Sequence, residues 1–312
     1  MADFIFSAVS FPEVTYWREA LAEESLAHYI GLIEKMQDPE KLTSGLELNA
    51  EETKTVELAV DEVRDQGFAV VEGFLSLDRL EGLREALAPV FALTGNRKVD
   101  GGKRGWPGVQ TVHIPNLYAK TRAIDELSIH PVLLKIVEGV LGPAFQMSVA
   151  VAMCPGPGCD KQGLHQDDSL CPMPRPHAPL VANTLIALDD FTLENGATML
   201  VPESHKWSRP VEPDYEPARA TLGAGDLLIW DGAVWHGGGA NKTEDQVRRS
   251  INLNFNVSWL RQQENQYIGI PRKVVRQLQE RLQRLLGYHR VSLLFGVVDY
   301  QDPLRYFEAH PD

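Results

Sequence analysis

A histidine and an aspartate two positions apart, His165 and Asp167 in Gly163-Leu164-His165-Gln166-Asp167-Asp168, are the residues of this chain best suited to chemistry. On an extended strand the side chains at i and i+2 leave the same face, so this imidazole and carboxylate would meet at one point with Gln166 turned away. Such a pair is two-thirds of a facial triad of two histidines and one carboxylate, which holds iron(II) and leaves its opposite face open to a cosubstrate and oxygen. The further imidazole is supplied by the run Gly225-Asp226-Leu227-Leu228-Ile229-Trp230-Asp231-Gly232-Ala233-Val234-Trp235-His236-Gly237-Gly238-Gly239. His236 follows an apolar, strand-like stretch and precedes three glycines, where a backbone without Cβ can come close to a ligand.

Cys154, Cys159 and Cys171 lie near His165 and raise a rival metal, since three cysteines and a histidine can close a tetrahedral zinc site. The spacing fits poorly, and zinc there would leave Asp167 and His236 without roles. A plainer reading has Cys154 ending an apolar strand as a small hydrophobe, with Cys159 and Cys171 in loops. An odd number of cysteines also argues against a disulfide framework.

The 312 residues are 44% hydrophobic and 23% charged, near globular averages. No stretch approaches the ~20 apolar residues of a membrane span, and the start Met1-Ala2-Asp3-Phe4 lacks a secretory pattern, so a soluble cytoplasmic protein is expected. A net charge of -13 disfavours nucleic-acid and anionic-membrane surfaces. Small molecules become the expected partners, and association into a homodimer is left open.

The elements that must position these ligands fall into a helical and a β-rich part within one domain. Residues 1–60 read as an N-terminal helical extension, with helices over Trp17–Met36 (His28 a surface or packing residue in it) and Asn49–Gln66, the latter capped by Asn49. Residues 61–266 read as the core. It opens with a strand over Gly67–Phe74, a helix from Asp78 to Phe91 and a helix over Pro131–Leu141. Residues 94–118, rich in glycine and polar side chains, form a candidate active-site lid from which Gln110, His113 and Tyr118 could face a substrate, a solvated loop being the alternative. Strands are expected over Phe145–Met153, Val181–Leu188, Ala197–Val201, Arg219–Leu222, Asp226–Trp230 and Ser250–Val257. Several short strands in series predict a mainly β fold with flanking α-helices, a double-stranded β-helix or jelly roll of cupin type, with the site at its mouth. Residues 267–312 read as a C-terminal helical segment with a helix over Pro271–Leu286.

An ordered set of landmarks extends this reading: His165-Gln166-Asp167, Glu194-Asn195-Gly196-Ala197-Thr198, Val201-Pro202-Glu203-Ser204-His205, His236-Gly237-Gly238-Gly239 and Arg248-Arg249-Ser250. In these residues the chain resembles the phytanoyl-CoA dioxygenase family of iron(II)- and 2-oxoglutarate-dependent oxygenases, over about Asp61 to Gln266. The resemblance implies that His165, Asp167 and His236 bind iron(II) and that Arg248 holds the distal carboxylate of 2-oxoglutarate, for which a guanidinium fork is the bidentate partner. Adjacent arginines on a strand face opposite ways, and the family pattern favours Arg248 over Arg249. Thr198 and Gln162 are further candidates for contact with 2-oxoglutarate, a strand threonine and a turn glutamine being their plainer readings.

The implied reaction is oxidative decarboxylation of 2-oxoglutarate with O2 at iron, giving succinate, carbon dioxide and an oxidant that takes hydrogen from a substrate C–H bond. Relatives that halogenate lack the carboxylate of the triad, so Asp167 favours hydroxylation, desaturation, epoxidation or rearrangement. No patch suited to coenzyme A stands out, and the run Ser258–Tyr267 and the C-terminal helix resemble members that oxidise natural products. Two other classes remain: a cupin-like metal-binding protein, for which Arg248 would be superfluous, and an interaction domain with a decayed site, which would have lost a ligand.

Overall fold

The computed structural model describes residues 42–92, 111–291 and 295–310. The helix expected over Trp17–Met36, His28 and the lid residues 94–110 with Gln110 lie outside this set.

The first described helix, α1 (Ala50–Gln66), begins as its sequence dictates. The Asn49 side chain accepts from the Glu52 N–H at 2.9 Å while Glu52 accepts from the Asn49 N–H at 2.9 Å, a reciprocal capping box. It ends at Gly67 (φ 94°), where a Cβ would stand 2.4 Å from Val234 and 2.6 Å from His205. Strand β1 (Phe68–Val71), helix α2 (Leu77–Ala92), strand β2 (Thr111–Ile114) and helices α3 (Asp125–Ser128) and α4 (Pro131–Leu141) follow.

The remaining strands are β3 (Phe145–Pro155), β4 (Val181–Ala187), β5 (Thr198–Leu200), β6 (Ala218–Ala220), β7 (Leu227–Asp231), β8 (His236–Gly237) and β9 (Ser250–Val257). They form a six-stranded antiparallel sheet, ordered β1-β7-β4-β9-β3-β2, and a three-stranded sheet, β6-β5-β8. Alternation sorts the side chains of the large sheet. Ile186, Leu227, Ile229, Ile251, Leu253 and Phe255 join the helices in one core, whereas Leu185, Ala187, Leu228 and Trp230 join Leu200 and Ala220 of the small sheet in a second core. This is the jelly roll that the strand series predicts.

Two expectations need correction. Residues 111–118 are not lid: Val112 and Ile114 alternate into the main core, β2 pairs with β3, and a 3-10 turn over Leu117–Ala119 buries Leu117 and Tyr118. The single helix expected over Pro271–Leu286 is broken into α6 (Arg272–Val275) and α7 (Glu280–Leu285), after the short α5 (Gln266–Gly269). Between them the Gln283 amide folds back to donate to the carbonyls of Val275 and Leu278, supplying in-line partners that a continuous helix would otherwise supply. A last helix, α8 (Pro303–Ala309), lies within the stretch 267–312 expected to be helical, with Asp302 as N-cap before Pro303 as its start signal. No helix among the described residues is long and apolar enough to cross a membrane.

Candidate metal centre and its surroundings

His165 and His236 face each other in an isolated antiparallel bridge, each donating its backbone N–H to the other's carbonyl at 2.9 Å. Their rings lie 4.4 Å apart at 50°. Gln166 is extended (φ -121°, ψ 128°) and buries its amide against the Ala233 carbonyl, so Asp167 returns to the side of His165 as expected. Asp167 itself does not continue a strand; it opens a 3-10 turn, Asp167–Leu170. The i, i+2 argument therefore holds through one extended residue.

The ligand atoms of His165, Asp167 and His236 all lie within 4.8 Å of one another, the one such cluster among the described residues. His165 Nε2 is 3.5 Å from one Asp167 carboxylate oxygen, and His236 Nε2 is 3.5 Å from the other. Each Nδ1 meets a backbone carbonyl two residues back, His165 to Gly163 at 2.9 Å and His236 to Val234 at 3.0 Å. A carbonyl can only accept, so Nδ1 carries the proton and the Nε2 lone pairs converge on the carboxylate, the tautomer a metal ligand needs. Burial raises the Asp167 carboxyl, but the two imidazoles and the Asn183 amide outweigh it and hold the group below its ordinary range. Burial and the neighbouring His236 push His165 down, while for His236 the Asp167 carboxylate overcomes burial and pushes the imidazole up.

Gln162 and the glycines after His236 fit chain against chain. The Gln162 N–H donates to the Gly238 carbonyl at 2.8 Å, and its side-chain carbonyl accepts from the Gly238 N–H at 2.7 Å. A Cβ on Gly239 would stand 2.6 Å from the Ala197 carbonyl oxygen, and one on Gly237 3.2 Å from that of Gly163. The glycines thus admit neighbouring backbone rather than a ligand, and the Gln162 side-chain carbonyl is committed to that junction.

Arg248 and Arg249 separate as the register requires. Arg248 is 5% exposed, lies over the Phe191 ring at 4.1 Å, and has no hydrogen-bond partner for Nε or Nη1. Burial pushes its guanidinium down to about 10. Arg249 is locked to Asp189 through Nε at 2.9 Å, Nη2 at 2.7 Å and its backbone N–H at 2.8 Å. Thr198 is buried and shares a face of β5 with Leu200, which packs between the sheets.

The lid candidates divide. Tyr118 is fully buried and donates its hydroxyl to Ser128 at 2.8 Å, so it is a core residue and does not face a substrate; burial pushes its phenol up. His113 is exposed on β2 opposite Met153, on the sheet face away from the Val112 and Ile114 core. The cysteines are free thiols: Thr111 Oγ1 approaches Cys159 Sγ at 2.8 Å, and no cysteine cluster that could hold a metal occurs among the described residues.

Sequence reasoning missed Asn183, Phe191 and the partners of Asp168. Asp168 is fully buried, bonded to Arg175 and 3.4 Å from His177 Nε2, which anchors the turn that carries Asp167. The doubled acid of His-Gln-Asp-Asp was its available signal; Asn183 offered none beyond an amide in an apolar strand.

The sequence matches the model of the phytanoyl-CoA dioxygenase (PhyH) family over residues 63–250. It is 32% identical over 243 residues to dioxygenase aneA of Aspergillus aculeatus, covering 72% of this chain and 80% of that protein. Dioxygenase cdmA of Talaromyces verruculosus is 29% identical over 276 residues, covering 83% and 89%. Among solved structures, the non-heme alpha ketoglutarate dependent carbocyclase SnoK from nogalamycin biosynthesis superposes with a TM-score of 0.55 at 22% identity, over 70% of this chain and 87% of that one. HygX from Streptomyces hygroscopicus, with nickel and 2-oxoglutarate bound, gives 0.54 at 18%, over 69% and 89%. These two likenesses are of fold, whereas the family match spans more than half of the sequence and includes all three converging ligands: the chain belongs to the phytanoyl-CoA dioxygenase family.

Proposed function

We propose that this protein is an iron(II)- and 2-oxoglutarate-dependent dioxygenase that oxidises a C–H bond of a small organic molecule, most simply by hydroxylation, in the biosynthesis of a natural product. The observation that carries the reading is Arg248, a 5% exposed guanidinium with unpartnered Nε and Nη1. A buried charge without a partner is costly, and a dicarboxylate cosubstrate supplies what is missing. A protein that merely stores metal has no use for it.

His165, Asp167 and His236 would hold the metal through Nε2, carboxylate and Nε2. When bound, iron(II) with 2-oxoglutarate and O2 supplies the oxidative decarboxylation and the hydrogen abstraction. The chain contributes position and exclusion of water. Arg248 would take the distal carboxylate beside the Phe191 ring, with Thr198, buried on β5, as a further hydroxyl donor. His113, at the exposed end of β2, is the remaining candidate for substrate contact.

The test is succinate release with iron(II) and 2-oxoglutarate across a panel of small natural-product scaffolds. Succinate formed in step with an oxidised product is the expected result. Tight metal binding with no 2-oxoglutarate consumption, coupled or uncoupled, would overturn the proposal in favour of a cupin-like metal-binding protein.

A further inference from the structure

A cavity of about 380 Å³ opens at the end of the large sheet where β3 begins and β9 ends, walled by the loop after β9 and the stretch after α7. The chain of Arg248 enters β9 at the other end, beside Pro155, and none of His165, Asp167, His236 and Arg248 lines this cavity. Its floor is built of side chains that are buried yet not fully bonded. Gln146 donates its amide N–H to the Leu260 carbonyl at 2.8 Å, and Gln262 donates to the carbonyls of Met147 at 2.8 Å and Leu286 at 2.9 Å. Backbone carbonyls only accept, so each amide must turn its nitrogen to the chain and its oxygen away from it. Neither side-chain oxygen accepts a hydrogen bond among the described residues. Beside them on the same lining, Ser258 Oγ and His289 Nδ1 are buried without a partner, His289 being only 7% exposed.

The rim is aromatic. Trp259 is 56% exposed and borders the cavity, and Tyr267 is fixed beside it by donating its hydroxyl to the Gly287 carbonyl at 3.0 Å. Gly287 (φ 102°) leaves room that a side chain would take, since a Cβ there would meet the Tyr267 hydroxyl and stand 3.4 Å from Gln146 Oε1. A concave site with aromatic walls and a few convergent polar groups is the usual form of a small-molecule pocket. Acceptors left unmet select a ligand that brings hydrogens to them, and a half-exposed indole offers its face to a flat partner. We propose that this cavity is a ligand site separate from the metal centre, for a ring compound carrying hydroxyl groups: the hydroxyls donate to Gln146 Oε1 and Gln262 Oε1, and the ring lies on Trp259. The proposal does not depend on the iron reading, and succinate release tests that reading separately, so either can fail alone.

The experiment uses two probes of one ring size, resorcinol, which has hydrogens to donate, and 1,3-difluorobenzene, which has none. Each is titrated by saturation-transfer NMR into the metal-free full chain as wild type, Trp259→Ala, Trp259→Leu, Arg248→Ala and Trp207→Ala, with folding checked by circular dichroism. Saturable resorcinol binding is expected in wild type, with 1,3-difluorobenzene weaker by about 10-fold or more because the acceptors stay unmet. Loss of the ring face in Trp259→Ala or Trp259→Leu should raise the resorcinol Kd by about 10-fold. Arg248→Ala and Trp207→Ala should bind it as wild type does. Absence of saturable binding, equal affinity for the two probes, or wild-type affinity in a folded Trp259 variant would overturn the proposal. Loss of binding in Arg248→Ala would overturn it too, by moving the probe to the metal centre.

Discussion

The guanidinium groups of Arg248 and Arg249 point to opposite sides of the chain entering β9: one rests over Phe191 at 4.1 Å with two nitrogens unpartnered, the other grips Asp189 through paired bonds of 2.9 and 2.7 Å. Removing each should therefore have a different effect. Arg248→Ala is expected to raise the apparent KM for 2-oxoglutarate by the equivalent of about 2–5 kcal/mol, the usual cost of truncating a buried charge pair. Arg249→Ala should leave that KM unchanged and instead lower stability by about 1–3 kcal/mol, because Asp189 loses charge-assisted bonds. Steady-state kinetics and thermal melts on both variants check this, and the reverse pattern would mean a register shifted by one residue.

The three converging ligands give the broadest test. His165→Ala, Asp167→Ala and His236→Ala should each abolish succinate release and weaken iron binding by at least 10-fold while leaving circular dichroism near wild type. The same substitution at His205, which contacts the Arg64 carbonyl at the end of α1 through Nε2 at 3.2 Å, should leave turnover in place. Full activity in any ligand variant would remove that residue from the centre.

Cys154, Cys159 and Cys171 are free thiols on separate elements. A variant with all three changed to Ser should fold and retain iron-dependent activity, and elemental analysis of wild type should find no stoichiometric structural zinc. One firmly held zinc per chain, lost in that variant, would contradict this.

His289 supplies a pH dependence away from the metal. Burial is the first cause pushing its imidazole down to about 4, against about 6.5 in an unfolded chain. As pH falls from about 6.5 to 4 the unfolded state takes up a proton that the folded state does not, so stability is lost across that window and is fully present above it. Denaturant midpoints measured from pH 7 to 4 should fall less steeply in His289→Gln, and parallel curves would exclude this residue as a source of acid sensitivity.

Gly239 is a packing requirement with a functional address. A Cβ there would stand 2.6 Å from the Ala197 carbonyl oxygen and 2.6 Å from Arg219 Nη1, so backbone beside His236 must shift. Gly239→Ala should cost about 1–3 kcal/mol of stability, the usual range for overpacking. A melt indistinguishable from wild type would show that the junction yields freely.

How far the sequence led depends on whether the cause was local. Asn49 with Glu52, Pro131 with Gly142 and the alternation in Ser250–Val257 act within a few residues, and the elements lie where those signals put them. His165, Asp167 and His236 were legible because their spacing and flanks carry the geometry with them. Tyr118 was misjudged for the opposite reason. A polar stretch does not disclose that Val112 and Ile114 turn into the core and take Tyr118 with them, nor that Gln162 answers Gly238 across the molecule.

The backbone bonds that join the two ligand-bearing stretches, Gln162 to Gly238, His165 to His236 in both directions and Asp168 to Gly232, involve no ligand atom. The entropy of bringing these segments together is therefore spent when the chain folds rather than when the ion arrives. A cavity set in advance captures any divalent ion that accepts imidazole and carboxylate, and binding strength in such a site follows the intrinsic order of the ions more than their usefulness. For this protein the supply of free iron against its competitors in the cell, and the history of the sample after lysis, become determinants of how much of it is active.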